Sequence, residues 1–514
     1  MYRSYNEGLL RASRNLRAAV FAFGALNAVL YAGLTPLWEG FDEPFHYAYV
    51  QQLWRTRSLP VQRHTCLSEE VWQSFTLAPA SYLVKRNLSM ATSFDDYFRL
   101  DAAERQSRRR QLEQLDPKLA AVESGCPNYE SQQAPLAYAV LGPINRLWSA
   151  TPLPGRVFRL RLVCALAAWL AAGLLVWRIG GLLGLAEIHR LTAVFLLYCS
   201  QMFYVTTAHV ANDWLALPLF LLVLESAISL RLWSLALALA AGLLTKAYFL
   251  AMIPFALGLV LWRRPRQAAG FAILALAPAA PWYARNVILY HDLSGQQQTI
   301  GGVSLFALLH SAIELPWIDS IFATARTALW EGNSSATTFG ATTIWLMVAL
   351  LIGGACLYFR HRPPVAERVL LAGVGCFAAA LAYSVVMLFH ASHGAEITTA
   401  PWYIELLQPP VLCLLLAGMA RAGRIGEWLR RGMLWLWTYV ICATYVAKLI
   451  PLYGGYAARP VRFLEMLRWY GGSFSEIASI LNTAALLPAT VLLALTAAVV
   501  VAGASLAARL SFPR

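Results

Sequence analysis

The stretch Arg17–Tyr47, RAAVFAFGALNAVLYAGLTPLWEGFDEPFHY, decides how the chain is read. Residues 18–36 form one apolar run, close to the length of about 20 residues that spans a bilayer. Arg3, Arg11, Arg14 and Arg17 precede it, and the chain turns abruptly polar at Glu39, Asp42, Glu43 and His46. No small-residue cleavage site follows, so the run reads as a retained helix and not as a signal peptide. The picture is a first membrane crossing that delivers two adjacent carboxylates to the membrane edge.

Comparable runs recur along all 514 residues. The chain is 59% apolar and 13% charged, with mean hydropathy +0.54, against roughly a quarter charged in a soluble protein. An outer-membrane barrel is excluded because its strands would show short alternating segments. The expected fold is therefore an all-α polytopic membrane protein. Crossings are expected near 18–36, 160–182, 190–208, 214–230, 232–246, 248–262, 268–285, 341–359, 365–389, 402–420, 432–452 and 482–507, twelve in all. Ala134–Trp148 is apolar but short and contains Pro143, Asn145 and Arg146, which suits a juxtamembrane helix better than a crossing. The expected organisation is an N-terminus and first helix (1–36), an outer loop with juxtamembrane helices (37–157), helices two to seven (158–290), a second outer loop (291–340) and helices eight to twelve (341–514).

The net charge of +14 comes from short clusters between crossings, such as Arg263, Arg264 and Arg266, Arg360 and Arg362, and Arg421, Arg424, Arg430 and Arg431. This is the positive-inside pattern of a membrane protein. No basic stripe is interleaved with stacking aromatics, so nucleic acid is excluded as a partner. With the clusters inside, the first loop lies outside and holds 13 of the 27 acidic residues. A transporter would gather ionisable residues at the midplane and show an internal repeat. Here Glu225 is the main intramembrane exception, and a chemical site at the outer surface fits better. Six cysteines fall in apolar spans, where they act as small hydrophobes. Cys66 and Cys126 are the only pair in the first outer loop, and an oxidising compartment would let them form a disulfide.

Five segments carry the chemistry. In Glu39–Tyr47, Asp42 and Glu43 share a helical face with His46, an acid/base or metal-binding cluster, although either carboxylate could instead cap a helix begun by Pro44. Asn128–Tyr138 leads into the juxtamembrane helix and ends on Tyr138. Ala211-Asn212-Asp213 opens the fourth crossing, where Asp213 is again a site residue or a cap. Leu244-Thr245-Lys246 closes the fifth. Pro281–Asp292 closes the seventh and carries Arg285 and Asn286. Arg285 and Lys246 could also be interfacial anchors that snorkel.

In this order and on one face, the segments resemble the GT-C superfamily of polyprenyl-phosphate-sugar-dependent glycosyltransferases, in the branch of protein O-mannosyltransferases and the lipid A aminoarabinose transferase. The resemblance runs over roughly residues 1–300 and continues beyond only as further spans. It implies transfer of one sugar from a polyprenyl phosphate to a protein, lipid or polysaccharide acceptor. It implies Asp42 as catalytic base with Glu43 beside it, Asp213 as a second acidic position, and Arg285 and Lys246 as holders of the lipid phosphate. His46, Tyr138 and Asn286 would be further polar site residues, and a divalent cation, Mg or Mn, is left open. Where the family often shows a His-Pro pair, this chain has Gln133-Ala134-Pro135. The alternatives are a transporter or flippase of lipid-linked saccharide and a polyprenyl-diphosphate-dependent glycan ligase. An arginine- and alanine-rich composition suggests a GC-rich bacterium, hence a cytoplasmic (inner) membrane protein whose site faces the periplasm.

Overall fold

The computed structural model describes residues 2–295, 303–327, 329, 339–456 and 463–512. It is an all-α membrane protein with, among the described residues, two minor two-stranded sheets, both in the first loop. Among the described residues six helices are long and apolar enough to cross a membrane: Arg14–Leu34, Leu153–Leu182, Ala341–Phe359, Val365–Ala391, Gly423–Tyr453 and Ala489–Ser511. The number rises to eight if each of two bent pairs is one span.

The bends follow the prolines. Pro265–Leu276 and Ala280–Tyr290 meet at 55°, beside Pro278 and Pro281, and Leu305–Glu314 and Trp317–Arg326 meet at 78° across Pro316. Proline removes a helical hydrogen bond and clashes with the preceding turn. Other expected crossings are short or interrupted. Residues 190–208 split into Glu187–Tyr198 and Gln201–Thr207, 214–230 and 232–246 give Asp213–Ile228 and Leu232–Leu243, and 402–420 splits into Pro401–Glu405 and Gln408–Arg421. Ala134–Trp148 forms a helix of only 12 residues, Leu136–Leu147.

The first helix packs on Leu153–Leu182, Glu187–Tyr198 and Ala489–Ser511, so both ends of the chain meet in one bundle. One hydrophobic core runs from Val20 to Leu510 and includes Trp38, Phe41, Phe45 and Tyr47 of the first loop. Two buried ion pairs fasten that loop to the helix Leu153–Leu182: Arg161 with Glu43, and Arg156 with Glu70. Arg161 also donates to the carbonyls of Thr35 (2.7 Å) and Pro36 (2.8 Å), which a helix C-terminus otherwise leaves without partners. Glu225, expected inside a membrane span, is paired with Arg178 (2.8 Å) and with Arg231.

The disulfide expected between Cys66 and Cys126 is absent, and both are free thiols. They lie on the antiparallel strands Cys66–Ser68 and Glu123–Pro127, but the residue opposite Cys66 is Pro127. The one-residue offset leaves Cys126 beside, and not directly opposite, Cys66. Alkylation of protein purified without reductant should therefore label both, and intact mass showing neither modified would contradict the register.

Candidate functional site

Four of the five segments converge on one cavity of about 200 Å³. Its walls are Phe41, Asp42 and His46, then Tyr129, Glu130, Gln132 and Gln133, then Asp213, Lys246, and Trp402 with Tyr403. Each segment reaches it for a local reason.

Asp42 precedes the helix Glu43–Thr56, where Pro44 fits the first turn. It does not cap that helix. Its backbone is left-handed (φ 54°) and its side chain makes no capping bond. The carboxylate accepts a hydrogen bond from the Tyr129 hydroxyl instead. A non-glycine residue held in this region is strained, and such strain concentrates at functional sites. Burial pushes the Asp42 carboxyl above its ordinary range, with Tyr129 and Lys246 opposing and Asp213 adding to the rise.

Glu43, its neighbour, does not line the cavity. Its Oε1 accepts from Arg161 Nε (2.7 Å) and from the backbone N–H of Val210 (3.0 Å), and Arg161 Nη2 takes Oε2. Burial would raise its pKa, but the Arg161 guanidinium outweighs it and holds the carboxyl below the usual range. Glu43 thus fixes the turn that presents Asp42 and also anchors the turn before Asp213.

His46 lines the cavity with Nδ1 2.8 Å from the Tyr138 hydroxyl, and Tyr138 stacks on Tyr49 at 4.0 Å. Burial, with Lys246 adding to it, depresses His46 well below the usual histidine range, so the ring is neutral at pH 7.

Lys246 sits where the helix Leu232–Leu243 has ended and the backbone is extended. The freed carbonyls of this break are satisfied by neighbours: Leu136 N–H donates to Leu244 (2.9 Å) and the Tyr283 hydroxyl to Leu243 (3.0 Å). Interrupted helices in membrane proteins are tolerated where they line a cavity. The ammonium donates to Asp213 Oδ1 (2.6 Å) and lies 5.5 and 5.4 Å from the Tyr248 and Tyr403 ring centres. Asp213 is therefore an ion-pair partner and not a helix cap, and Lys246, 5% exposed, does not snorkel.

The fifth segment stays outside. Arg285 donates to the Pro60 carbonyl (2.7 Å) and stacks over Trp282, while Asn286 donates to Leu293 O (3.4 Å). Neither lines the cavity.

The structure adds residues that sequence reasoning missed. Glu130 lies in the wall with its Oε2 bonded to Gln133 (2.7 Å), and burial beside Asp42 pushes its carboxyl up to about 8. Its signal was its place in the quoted Asn128–Tyr138 segment. Trp402 packs on Phe41 with ring centres 4.6 Å apart. The aromatic pair at the start of an apparent crossing was its only mark. Gln132 Oε1 is buried without a partner, as a wall built for a polar ligand would be.

Among the described residues no three His, Cys, Asp or Glu side chains are grouped to hold a metal ion. Asp213 is turned to Lys246 and Asp42 to Tyr129. No protein-family model matches the chain, and no curated protein or solved structure matches it.

Proposed function

We propose that the chain is an integral-membrane glycosyltransferase of GT-C-like, twelve-crossing architecture that moves one sugar from a polyprenyl phosphate to an acceptor at the outer face of a bacterial cytoplasmic membrane. The observation that carries this reading is the convergence of Asp42, Glu130, Asp213 and Lys246 on one polar cavity at the end of the first long apolar helix. In the proposed reaction the acceptor hydroxyl attacks the anomeric carbon and its proton passes to the Asp42 carboxylate. The bond from that carbon to the phosphate oxygen breaks, and its electron pair leaves on the polyprenyl phosphate. With no enzyme nucleophile, the anomeric centre inverts.

The electrostatics support these roles. A raised Asp42 stands closer to neutral pH, where a general base is most effective. Lys246 supplies positive charge for the departing phosphate in a site shielded from water. Glu130, at about 8, holds its proton at pH 7 and so spares that phosphate a further negative neighbour. With Arg285 bound to Pro60, the phosphate role rests on Lys246.

A pH profile follows. Transfer should fall in acid as Asp42 protonates, with a midpoint above the ordinary 3.8. It should fall again in alkali as Glu130 ionises near pH 8, the two values belonging to the coupled set. Glu130→Gln should lift only the alkaline fall, and a Glu130→Gln profile with that limb unchanged would remove Glu130 from this role.

The donor class is tested with the purified protein in lipid nanodiscs. With a panel of hydroxyl acceptors present, polyprenyl-monophosphate sugars should release free polyprenyl phosphate, and diphosphate-linked glycans should not. Release from the diphosphate carriers alone would instead favour a glycan ligase. Lipid-linked sugar that still crosses vesicles containing Asp42→Asn would favour a flippase.

A further inference from the structure

A second cavity, of about 580 Å³, lies on the other side of the short helix Pro401–Glu405. Trp402 and Tyr403 of that helix line the Asp42 cavity, whereas Ile404 and Glu405 line this one. The volume is in the range of ligand sites. Its walls are almost wholly apolar, with Leu351, Leu381, Ala382 and Val385 among them. The helix Trp317–Thr327 covers one side, where Ile321 lines the cavity while 65% exposed and Ile318 beside it is 84% exposed, so the mouth opens onto apolar surface.

One end of this cavity is polar. Glu405 is 2% exposed, its Oε2 lies 3.4 Å from the Ser200 hydroxyl, and the Gln408 amide, oriented so that both its atoms are satisfied, donates to that oxygen (2.5 Å) and to Ser200 (2.9 Å). Among the described residues Glu405 has no cationic partner. Thr399, 4% exposed, places a buried hydroxyl without any partner in the same wall. A carboxyl in apolar surroundings is costly unless a proton or a cation neutralises it. An unpartnered buried hydroxyl adds a second unmet demand.

We propose that this cavity binds a single-chain aliphatic amphiphile whose head is a hydrogen-bond donor, an alkylammonium or a long-chain alcohol, with the head against Glu405 and Thr399 and the chain along the apolar walls. An anionic head is disfavoured, because Glu405 would oppose it and no cation lines the cavity. The site is therefore distinct in kind from the Lys246 cavity, which suits a phosphate. It stands whether or not Asp42 is a catalytic base.

The test uses the full chain in nanodiscs with hexadecyl probes that carry a photoreactive diazirine in the chain and an amine, alcohol or carboxylate head. The amine and alcohol probes should mark peptides within 344–351 and 378–385, and the carboxylate should mark them at least about tenfold less, as loss of a charge-assisted contact implies. Glu405→Gln keeps the shape and should weaken the amine by about tenfold while sparing the alcohol, since glutamine still accepts a hydrogen bond. Ala382→Trp should block all labelling by filling the cavity, while sugar-donor turnover at Asp42 continues. Equal labelling by all three heads would overturn the proposal. So would efficient displacement of the amine by a polyprenyl phosphate, which would make the cavity the seat of that lipid's tail.

Discussion

Asp42→Asn should lower sugar transfer by about 100- to 10,000-fold, the usual weight of a general base, without loss of the fold. The expectation of an intact fold is specific to this position. The residue sits in the left-handed region at φ 54°, which asparagine tolerates about as well as aspartate. No helix-capping bond is lost, because none is made, and the Tyr129 hydroxyl can still donate to the amide oxygen. The buried charge network also improves slightly, since one of the carboxylates that raise Glu130 is gone. What asparagine cannot do is accept the acceptor's proton. Expression, melting temperature and transfer measured on one preparation decide the matter, and a stable variant with near-normal transfer removes Asp42 as the base. A fully buried residue outside the chemistry, Tyr47, provides the control through Tyr47→Phe that turnover survives an ordinary nearby substitution.

The parts of this site legible in the sequence are those set by short spacing at the ends of apolar runs. A carboxylate pair after the first span, Asp213 before an apolar helix and Lys246 after another all announce themselves, because charge at such positions is expensive. The direction in which each side chain turns is set by partners far along the chain and is not visible. Arg285 looks as suitable as Lys246, yet the Pro60 carbonyl, 225 residues earlier, holds it. Glu43 looks as suitable as Asp42, yet Arg161, 118 residues later, takes both its oxygens. Arg161 did carry a signal. An arginine inside an apolar span needs a buried partner, and the adjoining loop is rich in carboxylates.

The fold divides in the same way. Long uninterrupted runs such as residues 365–389 and 160–182 are single helices near the expected limits, since nothing within them competes with the helix. Segments rich in proline or containing polar breaks depart from the expectation. The second outer loop contains the bent pair Leu305–Glu314 and Trp317–Thr327, and residues 463–484, expected as a loop, are helical with a kink at Ser473. The two loop cysteines were countable from sequence, but the strand register that separates them depends on a bulge between Cys66 and Ser68.

Arg161→Leu should be the most destabilising single change in the molecule. Arg161 and Glu43 are both 0% exposed, and removing one partner of such a pair typically costs about 3–5 kcal/mol because the other charge stays buried. The carbonyls of Thr35 and Pro36 lose their donor at the same time, each worth up to about 1–3 kcal/mol when left unsatisfied. Even without full additivity, this rivals a total stability of about 5–15 kcal/mol, so the variant should accumulate poorly and melt far below the parent. Two controls separate the buried charge from simple loss of packing. The double variant Arg161→Leu with Glu43→Leu removes both charges and should recover much of the lost stability, as replaced buried pairs often do. The pH dependence should also change sign. In the parent, Glu43 is held below its ordinary range, so its contribution is lost as the pH falls through that depressed value. In Arg161→Leu the unpaired carboxyl gains from protonation, so the melting temperature, relative to the parent, should rise between pH 7 and 5. A single variant that melts within a degree or two of the parent would mean that the carboxylate pair is not held at the membrane edge by Arg161, and that Asp42 owes its unusual backbone to something else.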